Sequence, residues 1–371
     1  MKAELLGARK IIMSNPMSYH NYFGWPTAAR LKNGRIAVGA SGYRLRHICP
    51  FGKTVLSISE DNGETYPAAA PIIDTVLDDR DAGLCPFGES GLILTSFNNA
   101  TAFQRSKPYV GEYALAYLDI VTAEDEKKCL GSTFRVSFDN GVTFGPLYKS
   151  PITSPHGPVE LNDGTILWVG RVHSSIDSFT EGNRICAYTL DPQTGKMEHL
   201  GDVPAIYEGE LLLGSCEPHT IQLPDGRLLC HIRAQEHGYF STYQCESTDG
   251  GRTWSKPYAI LGKQGGAPTH MILLSDGVLL ATYGYRSVPC GIRYMVSKDL
   301  GKTWSAGHVL YEDLGDYTLD GHTEDVGNHK DIGYPSTVEM DDGSLLTIYY
   351  AHPTPEEPSV IFQQKWKLIR E

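Results

Sequence analysis

A short pattern, Ser-x-Asp-x-Gly-x-Thr followed by an aromatic residue, occurs four times along this chain. The copies span Ser59–Tyr66, Ser137–Phe144, Ser247–Trp254 and Ser297–Trp304. In each copy the Asp carboxylate can accept backbone N–H bonds and the Gly can take a positive φ, and both properties are typical of a hairpin turn. Because one active site does not need four equivalent copies, these Asp residues are predicted to be structural.

A second pattern, an apolar run that ends in a Gly-containing turn and is followed by another apolar strand, occurs six times. The runs begin at residues 25, 81, 155, 217, 268 and 334. Their spacings, between 51 and 74 residues, each fit one four-stranded antiparallel sheet with its loops. The prediction is an all-β fold, a six-bladed β-propeller of four-stranded antiparallel sheets, formed by residues 1–371 as a single domain. The segment Leu5–Met13 is expected to complete the last blade, and Asp313–Gly333 to form a loop over one face.

Composition excludes several classes of function. The 371 residues contain 32 Lys and Arg against 44 Asp and Glu, a net charge of −12, which disfavours nucleic-acid binding. No run of about 18 apolar residues exists, so no membrane span is predicted. The N-terminus carries charges and lacks the apolar core of a secretory signal, so a cytoplasmic protein is expected, or a secreted one if a signal has been removed. The eight cysteines form no CxxC pair and are expected to be reduced.

The starts of the inner strands of a propeller crowd around its axis at one mouth. Counting back six residues from the Leu or Met before each turn reaches Trp25, Glu217 and Tyr334, and a less regular match gives Asp81. Counting back four reaches His219 and His270. Since strands repeat every two residues, both sets should face one pocket. His156 is offset by one position and would face elsewhere unless its strand bulges.

The chemistry of this predicted pocket suits an acidic substrate. A Tyr beside a carboxylate is a workable nucleophile: the phenol has an ordinary pKa of about 10, and Glu217 can act as its base. A neutral phenol also avoids repelling an anion. The residues expected to bind a carboxylate or sulfate by forked hydrogen bonds are Arg44, Arg46, Arg233 and Arg293.

These residues resemble the sialidase (neuraminidase) superfamily, whose propellers carry repeats similar to the four turns and known as Asp-boxes or BNR repeats. Glu217 followed sixteen residues later by Arg233, Arg293 before the last box, and Tyr334 opening the last inner strand all match the family pattern. Asp81 matches its inner-strand Asp. The resemblance implies a retaining exo-glycosidase that removes a terminal, sialic-acid-like sugar without a cofactor. It also implies Tyr334 as nucleophile, Glu217 as its base, and Arg233 and Arg293 as anion-binding residues.

The chain departs from the family at two places. The first blade reads Gly24-Trp25-Pro26 where the family has an Arg that clamps the substrate carboxylate. The first-blade loop, residues 42–53, contains Arg44, Arg46 and His47 but lacks the Asp that serves as general acid in the family. Asp81 and His47 are therefore the leading candidates for the acid, and His219 and His270 remain open because imidazole titrates near neutrality.

Two alternatives follow from these departures. The first is a hydrolase or lyase of the same fold that acts on rhamnose or a uronic acid with histidine acid–base chemistry. The second is a non-enzymatic propeller that binds glycan or protein. Two arginines converging beside Tyr334 would favour an acidic sugar, and a Glu217–Tyr334 pair too far apart to share a hydrogen bond would favour the binding protein. No HxH or HExxH spacing occurs, so no metal site is predicted, and the segment His322–His329 is expected to be a solvated acidic loop.

Overall fold

The protein is described here by a computed structural model, which covers residues 1–108, 110–173, 184–236, 239–262, 266–287, 289–313, 331–354 and 356–370. The described strands begin with β1 (Lys2–Leu5) and β2 (Lys10–Met13). Blade 1 contains β3 (Tyr22–Arg30), β4 (Ile36–Arg44), β5 (Lys53–Ser59) and β6 (Ala70–Ile73). Blade 2 contains β7 (Asp78–Phe87), β8 (Gly91–Asn99), β9 (Ser132–Ser137) and β10 (Tyr148–Ser150). Between β8 and β9 lie the helices α1 (Thr101–Arg105), α2 (Glu112–Ile120) and α3 (Ala123–Cys129).

The second half of the chain repeats the same arrangement. Blade 3 contains β11 (Ile152–Thr153), β12 (Val159–Glu160), β13 (Ile166–Val172), β14 (Ile185–Leu190) and β15 (Met197–Val203), and is followed by the hairpin β16 (Tyr207–Glu208) and β17 (Leu211–Leu212). Blade 4 contains β18 (Gly214–Gln222), β19 (Leu228–Glu236), β20 (Tyr239–Ser247) and β21 (Tyr258–Leu261). Blade 5 contains β22 (Gly266–Leu273), β23 (Leu279–Tyr285), β24 (Cys290–Ser297) and β25 (His308–Asp313). Blade 6 contains β26 (Gly333–Glu339), β27 (Leu345–Ala351) and β28 (Val360–Ile369).

These six antiparallel sheets confirm the predicted propeller. In each blade the strands pair in chain order from the inner strand outwards, except that in blade 3 both β11 and β12 pair with β13. In blade 6 the outer position is filled by β1 and β2, which both pair with β28. The N-terminal segment thus closes the ring as predicted, although as two short strands separated at Gly7, whose φ is +100°. No helix within the described part of the chain is long and apolar enough to cross a membrane.

Apolar side chains fill the space between adjacent blades. Leu228 packs into the cluster shared by blades 3 and 4, while its neighbour Leu229 packs into the one shared by blades 4 and 5. Leu279 and Leu280 divide in the same way between the two sides of blade 5. Because successive strand residues point to opposite faces, one strand supplies both of the interfaces of its blade. This packing explains why strands such as β24 and β27 are buried along their whole length.

The four Asp-boxes make the hydrogen bonds that the repeat predicts. In the second box Asp139 Oδ1 accepts from the Thr143 backbone N–H at 2.8 Å, and Oδ2 accepts from the Thr143 hydroxyl at 2.6 Å. Gly141, at φ +83°, allows the chain to reverse. Every box joins the third strand of a blade to the fourth, whereas Glu217 and Tyr334 lie near the start of inner strands. In an antiparallel blade these positions are on opposite faces, so the boxes stand apart from the candidate site.

The helical segment of blade 2 was not predicted from the sequence. The three helices have five, nine and seven residues, which is too short for a helical period to stand out. They fall inside the longest spacing between repeats, the 74 residues from 81 to 155. Since the segment follows the second strand of its blade, it lies on the same face as the starts of the inner strands.

Candidate functional site

Four inner strands share one unusual backbone conformation at the mouth of the propeller. Trp25, Asp81, Glu217 and Tyr334 have φ values of +52°, +45°, +52° and +47°. At each of them the pairing with the second strand shifts register, as in a β-bulge. Positive φ is uncommon outside glycine, and bulges next to active sites re-aim side chains. The four residues that the sequence places at equivalent positions of their inner strands therefore share the same backbone strain. Such strain is characteristic of functional positions.

Tyr334 and Glu217 are joined by a short hydrogen bond. The Tyr334 hydroxyl donates to Glu217 Oε1 at 2.5 Å. Arg233 binds both oxygens of this carboxylate, because its Nη1 donates to Oε1 at 2.7 Å and to Oε2 at 2.6 Å. Tyr334 is 5% exposed, so this arrangement lies in a largely dehydrated pocket. Blades 4 and 6 thereby place a phenol, a carboxylate and a guanidinium in one chain of contacts.

The ionisation of this pair follows from its surroundings. Burial disfavours the charge on Glu217, but the attraction of Arg233 and the hydrogen bonds from Arg233 and Tyr334 outweigh it and lower the pKa of Glu217. Burial raises the pKa of Tyr334 well above its ordinary value, and the carboxylates of Glu217 and Asp81 raise it further. The ground state is therefore an ionised Glu217 carboxylate that accepts a hydrogen bond from the neutral Tyr334 phenol.

The pKa of Asp81 is shifted in the opposite direction to the pKa of Glu217. Burial raises the pKa of Asp81 to about 7, against the opposing charge of Arg80, and Glu217 adds to the rise. The carboxyl group accepts no hydrogen bond from the residues that the structure describes. Two carboxyl groups whose pKa values are driven apart are typical of an acid and a base in one active site. Asp81 can thus hold a proton at a pH where Glu217 is ionised.

Two arginines flank Tyr334, and one of them was not predicted. Arg286 has its guanidinium carbon 5.7 Å from the Tyr334 ring centroid, and it donates through Nε to the Ile332 carbonyl and through Nη2 to the Tyr350 hydroxyl, each at 2.9 Å. The guanidinium carbons of Arg233 and Arg286 also lie 3.9 and 5.9 Å from the Phe240 ring centroid. The position of Arg286 in the sequence could have indicated this role. Arg286 directly follows the second strand of blade 5, and Arg233 lies near the end of the second strand of blade 4.

Arg293, predicted for this role, has a different set of partners. It lies on the third strand of blade 5, where Nη2 donates to Glu312 Oε1 at 2.9 Å and to the Pro289 carbonyl at 3.1 Å. Its guanidinium carbon is 4.9 Å from the Tyr285 centroid. The structure does not bring it into contact with Tyr334 or Glu217, whereas Arg286 lies beside Tyr334.

Arg44 was predicted to bind substrate, and its contacts correct that expectation. The side chain is fully buried. Its five N–H groups donate to the Ser41 hydroxyl, the Asp78 carboxylate and the carbonyl oxygens of Arg46, His47 and Asp79. A guanidinium has five N–H donors, so none is left for a ligand. Arg44 holds the first-blade loop, while Arg46 is exposed and lines a neighbouring cavity.

A second unpredicted arginine, Arg80, lies beside Trp25. Its guanidinium carbon is 3.9 Å from the Trp25 ring centroid, and Nη1 donates to the His47 carbonyl at 2.5 Å. Burial opposes the charge, but the carboxylates of Asp78 and Asp81 raise the pKa of Arg80. The sequence contains a local signal for it, because Arg80 immediately precedes Asp81 on β7.

His47 belongs to a buried network around Asp331. His47 Nδ1 is 3.2 Å from Asp331 Oδ1, and the Tyr22 hydroxyl donates to Asp331 Oδ2 at 2.5 Å. Arg80 Nη2 lies 3.4 Å from His47 Nε2. Burial lowers the pKa of His47 to about 4, although Asp331 opposes this shift. A neutral imidazole is a poor proton donor near pH 7, so Asp81 is the better of the two predicted acids.

Three histidines meet on the propeller axis. The rings of His219 and His270 stack at 4.5 Å, and the His156 centroid lies 5.3 and 4.9 Å from them, so His156 faces the axis after all. His219 Nδ1 accepts the Met271 backbone N–H, and His270 Nδ1 accepts that of Thr337. Since a backbone N–H can only donate, both rings carry their proton on Nε2. Burial lowers the pKa of His219 to about 3, and that of His270 falls well below its ordinary value for the same reason.

These tautomers make the axial histidines donors through Nε2 rather than metal ligands. Among the described residues, one group has the spacing of metal ligands: Cys186, His199 and Asp202 on the outer strands of blade 3. Asp202 already pairs with His199 and with Arg184. The segment His322–His329 lies outside the described residues, as do residues 314–330 of the predicted loop Asp313–Gly333.

Comparisons with known proteins agree with this architecture. Residues 99–347 match the model of the BNR repeat-like domain. A protein of unknown function from Dyadobacter fermentans is 20% identical, with a TM-score of 0.75 and 99% of each chain covered. The Hadza microbial sialidase Hz136 is 13% identical (TM-score 0.61, 94% of this chain and 66% of that one). The NanB sialidase from Streptococcus pneumoniae is 12% identical (TM-score 0.64, 97% and 70%).

A search of curated proteins finds no match. At these identities the solved structures carry information about the fold alone. The family match covers about two thirds of the chain, and the six blades, the four Asp-boxes and the fold of the two sialidases agree with it. The chain belongs to the BNR repeat-like domain family and has the six-bladed propeller of the sialidases.

Proposed function

We propose that the protein is a retaining exo-glycosidase that removes a terminal acidic sugar, of the sialic-acid type, from an oligosaccharide or glycoconjugate. The observation that carries the proposal is the 2.5 Å hydrogen bond from the Tyr334 hydroxyl to Glu217 Oε1. A phenol that already donates to an ionised carboxylate is a nucleophile with its base in place. The pKa of Glu217 is lowered while the pKa values of Tyr334 and Asp81 are raised, and such opposed shifts in one buried group support catalysis over simple binding.

The proposed reaction has two displacements. In the first, Glu217 takes the phenolic proton as the Tyr334 oxygen bonds to the anomeric carbon. The bond from that carbon to the leaving oxygen breaks, and Asp81 protonates the leaving oxygen. In the second, the Asp81 carboxylate takes a proton from water as the water oxygen attacks the anomeric carbon. The Tyr334 oxygen departs and recovers its proton from Glu217, so the configuration at the anomeric carbon is retained.

An anionic group on the sugar would be held by Arg233 and Arg286. Arg233 uses Nη1 for Glu217, and its buried Nε has no hydrogen-bond partner among the described residues. Arg286 uses Nε and Nη2 for Ile332 and Tyr350, and its Nη1 makes no hydrogen bond to the part of the chain that the structure describes. Two guanidinium groups beside one phenol suit a carboxylate, which binds forked donors. They favour an acidic sugar over a neutral one such as rhamnose.

A uronic acid is the second candidate substrate. Two features separate this site from the one that the sialidase resemblance implies. Trp25 stands where a carboxylate-binding Arg is expected, and Arg44 uses all of its donors within the protein. Both features favour an acidic sugar other than sialic acid. Histidine acid–base chemistry is less well supported, because burial lowers the pKa of His47 to about 4.

The test is hydrolysis of three fluorogenic aryl glycosides, an α-sialoside, a β-glucuronide and an α-rhamnoside, by the wild type. The anomer first released is identified by NMR. Tyr334→Phe and Glu217→Gln should lower kcat on the accepted substrate by about 10³-fold or more, as the loss of a nucleophile or its base does elsewhere. Tyr258→Phe, on the opposite face, is the matched control. A wild type inert on all three substrates, or Tyr334→Phe with normal kcat, would overturn the proposal.

A further inference from the structure

A second cavity opens on the same face of the propeller as the candidate active site. It has a volume of about 610 Å³, within the range of roughly 300–1,000 Å³ typical of small-molecule sites. Three segments form it: residues 18–20 before blade 1, residues 45, 46, 48 and 49 of the first-blade loop, and residues 110–114 at the start of α2. Tyr334, Glu217 and Asp81 do not line it.

The walls of this cavity are held by packing that needs no ligand. Ile48 from the loop and Val110, Ala114 and Leu118 from the helical segment form a cluster whose members are each at most 5% exposed. Phe51 adds aromatic contacts beside this cluster, with ring centroids 5.1 Å from Tyr113 and 4.8 Å from Tyr117. A pocket built before binding loses less conformational entropy when the ligand arrives.

The lining combines aromatic rings with opposite charges. Tyr19 is 93% exposed and Tyr113 is 66% exposed, although both are large rings that gain from burial. Arg46 and Glu112 supply a forked donor and a carboxylate acceptor at the same cavity. A sugar unit offers apolar ring faces to aromatic side chains and hydroxyl groups that both donate and accept. The lining therefore matches a glycosyl unit better than a purely apolar ligand.

The position of the cavity matches the direction in which a leaving group would depart. The first-blade loop places His47 against Trp25, with ring centroids 4.8 Å apart, and places the adjacent Arg46 at the cavity. If Tyr334 of blade 6 attacks the anomeric carbon, the leaving oxygen must face the acid, Asp81 of blade 2. The rest of the leaving group then extends towards the loops of blades 1 and 2, and these loops form the cavity.

Building on the proposed function, we propose that this cavity is a leaving-group subsite that binds a neutral glycosyl unit next to the terminal acidic sugar. Tyr19 and Tyr113 stack on the sugar faces, and Arg46 and Glu112 hydrogen-bond its hydroxyl groups. The helical segment of blade 2 thus serves substrate selection: it completes a site for an oligosaccharide where the loop alone would leave an open surface.

Kinetics with two substrates that share the acidic sugar test this assignment. Methyl α-sialoside has a leaving group too small to reach the cavity, whereas 3′-sialyllactose places lactose there, and both leave as alkyl alcohols. We expect Tyr113→Ala and Glu112→Ala to lower the ratio of kcat/KM for sialyllactose to kcat/KM for the methyl glycoside by roughly tenfold, the effect of losing one good contact. Phe138→Ala, in an Asp-box on the opposite face, should keep the ratio. A ratio unchanged in both cavity variants would overturn the subsite.

A binding experiment separates this proposal from the proposed function. Saturation-transfer NMR with lactose alone requires no catalysis and no acidic sugar. We expect a lactose signal with the wild type and with Phe138→Ala, and its loss with Tyr113→Ala and Glu112→Ala. The wild type could be inert on every glycoside and still show a lactose signal that the two cavity variants lose. In that case the proposed activity is wrong and the proposed lactose-binding site is supported. If lactose gives no signal, or an equal signal with all four proteins, the site is rejected.

Discussion

The guanidinium carbon of Arg80 lies 3.9 Å from the centroid of the Trp25 ring. Trp25 occupies the position at which the sialidase resemblance implies an Arg, and Arg80 comes from the inner strand of the next blade. Stacking on a Trp face is favourable for a guanidinium. The site therefore has a positive charge beside this position, which comes from a different blade and stacks on the Trp25 ring.

Removal of the Arg80 charge should move the pH dependence of the proposed activity. Among the influences on Asp81, Arg80 is the strongest that lowers its pKa, so Arg80→Met should raise that pKa above its present value of about 7. We expect the alkaline limb of the kcat/KM profile to shift to higher pH. Arg252→Met, an exposed cation in an Asp-box, should leave the limb in place. An unshifted limb in Arg80→Met would show that Asp81 does not control it.

Asp81 itself should set the upper end of the active pH range. Its proton is present below a pKa of about 7 and is lost above it, so kcat/KM should fall as the pH rises through this value. Asp81→Asn should abolish this limb and lower the rate by about 10²- to 10⁴-fold for an alkyl glycoside, the contribution of a general acid. The loss should be smaller for a nitrophenyl glycoside, whose leaving group needs no proton. Equal losses on both substrates would argue against the acid role.

Arg286 and Arg293 should differ in their effect on substrate binding. Arg286 lies against Tyr334, whereas Arg293 pairs with Glu312 on the third strand. Arg286→Lys removes the fork, so KM for the acidic substrate should rise by about 10- to 100-fold, the range for hydrogen bonds to charged groups. Arg293→Lys should raise it much less. Steady-state kinetics of the two variants decide between them, and a larger effect at Arg293 would restore the prediction made from the sequence.

Arg44→Met should destabilise the protein. The change leaves the fully buried Asp78 without its 2.5 Å partner, and the loss of one member of a buried pair costs about 3–5 kcal/mol. Arg80 Nη1, 3.4 Å from Asp78, compensates in part. Denaturant unfolding measures the free-energy change. The double variant Arg44→Met/Asp78→Leu should lose less than the sum of the single variants, and strict additivity would contradict the pairing.

The Asp-boxes should contribute to stability in mild acid. Hydrogen bonds from the Thr side chain and backbone lower the pKa of Asp139, Asp249 and Asp299 to about 2, from an ordinary 3.8. A depressed carboxyl pKa stabilises the fold above the unfolded value, and that stability is lost as the pH falls from about 4 to 2. Asp299→Asn should therefore flatten the fall of the unfolding free energy over this window. Thermal unfolding between pH 5 and 2 tests it, and an unchanged slope would exclude the effect.

Much of the architecture and part of the site follow from local patterns. The turn chemistry of the boxes and the two-residue period of strands are local properties, so the repeats predicted the number of blades. The count back from each turn put Trp25, Glu217 and Tyr334 in equivalent positions and a less regular match added Asp81, and the structure gives all four a positive φ. The helical segment between β8 and β9 escaped prediction because three helices of at most nine residues are stabilised by docking on the first-blade loop rather than by their own periodicity.

The sequence by itself determined the propeller, its register and the strands that carry the phenol and its carboxylate. Only the tertiary structure decided which arginines lie next to Tyr334 and Trp25. Arg44 is held inside its own loop, whereas Arg80 and Arg286 reach the site. The opposite pKa shifts of Asp81 and Glu217 also depend on charges from other blades. The physical reason is the distance in sequence between the interacting residues. A turn or a strand depends on residues that are close together in the chain, whereas the partner of a long charged side chain depends on which blade packs against it.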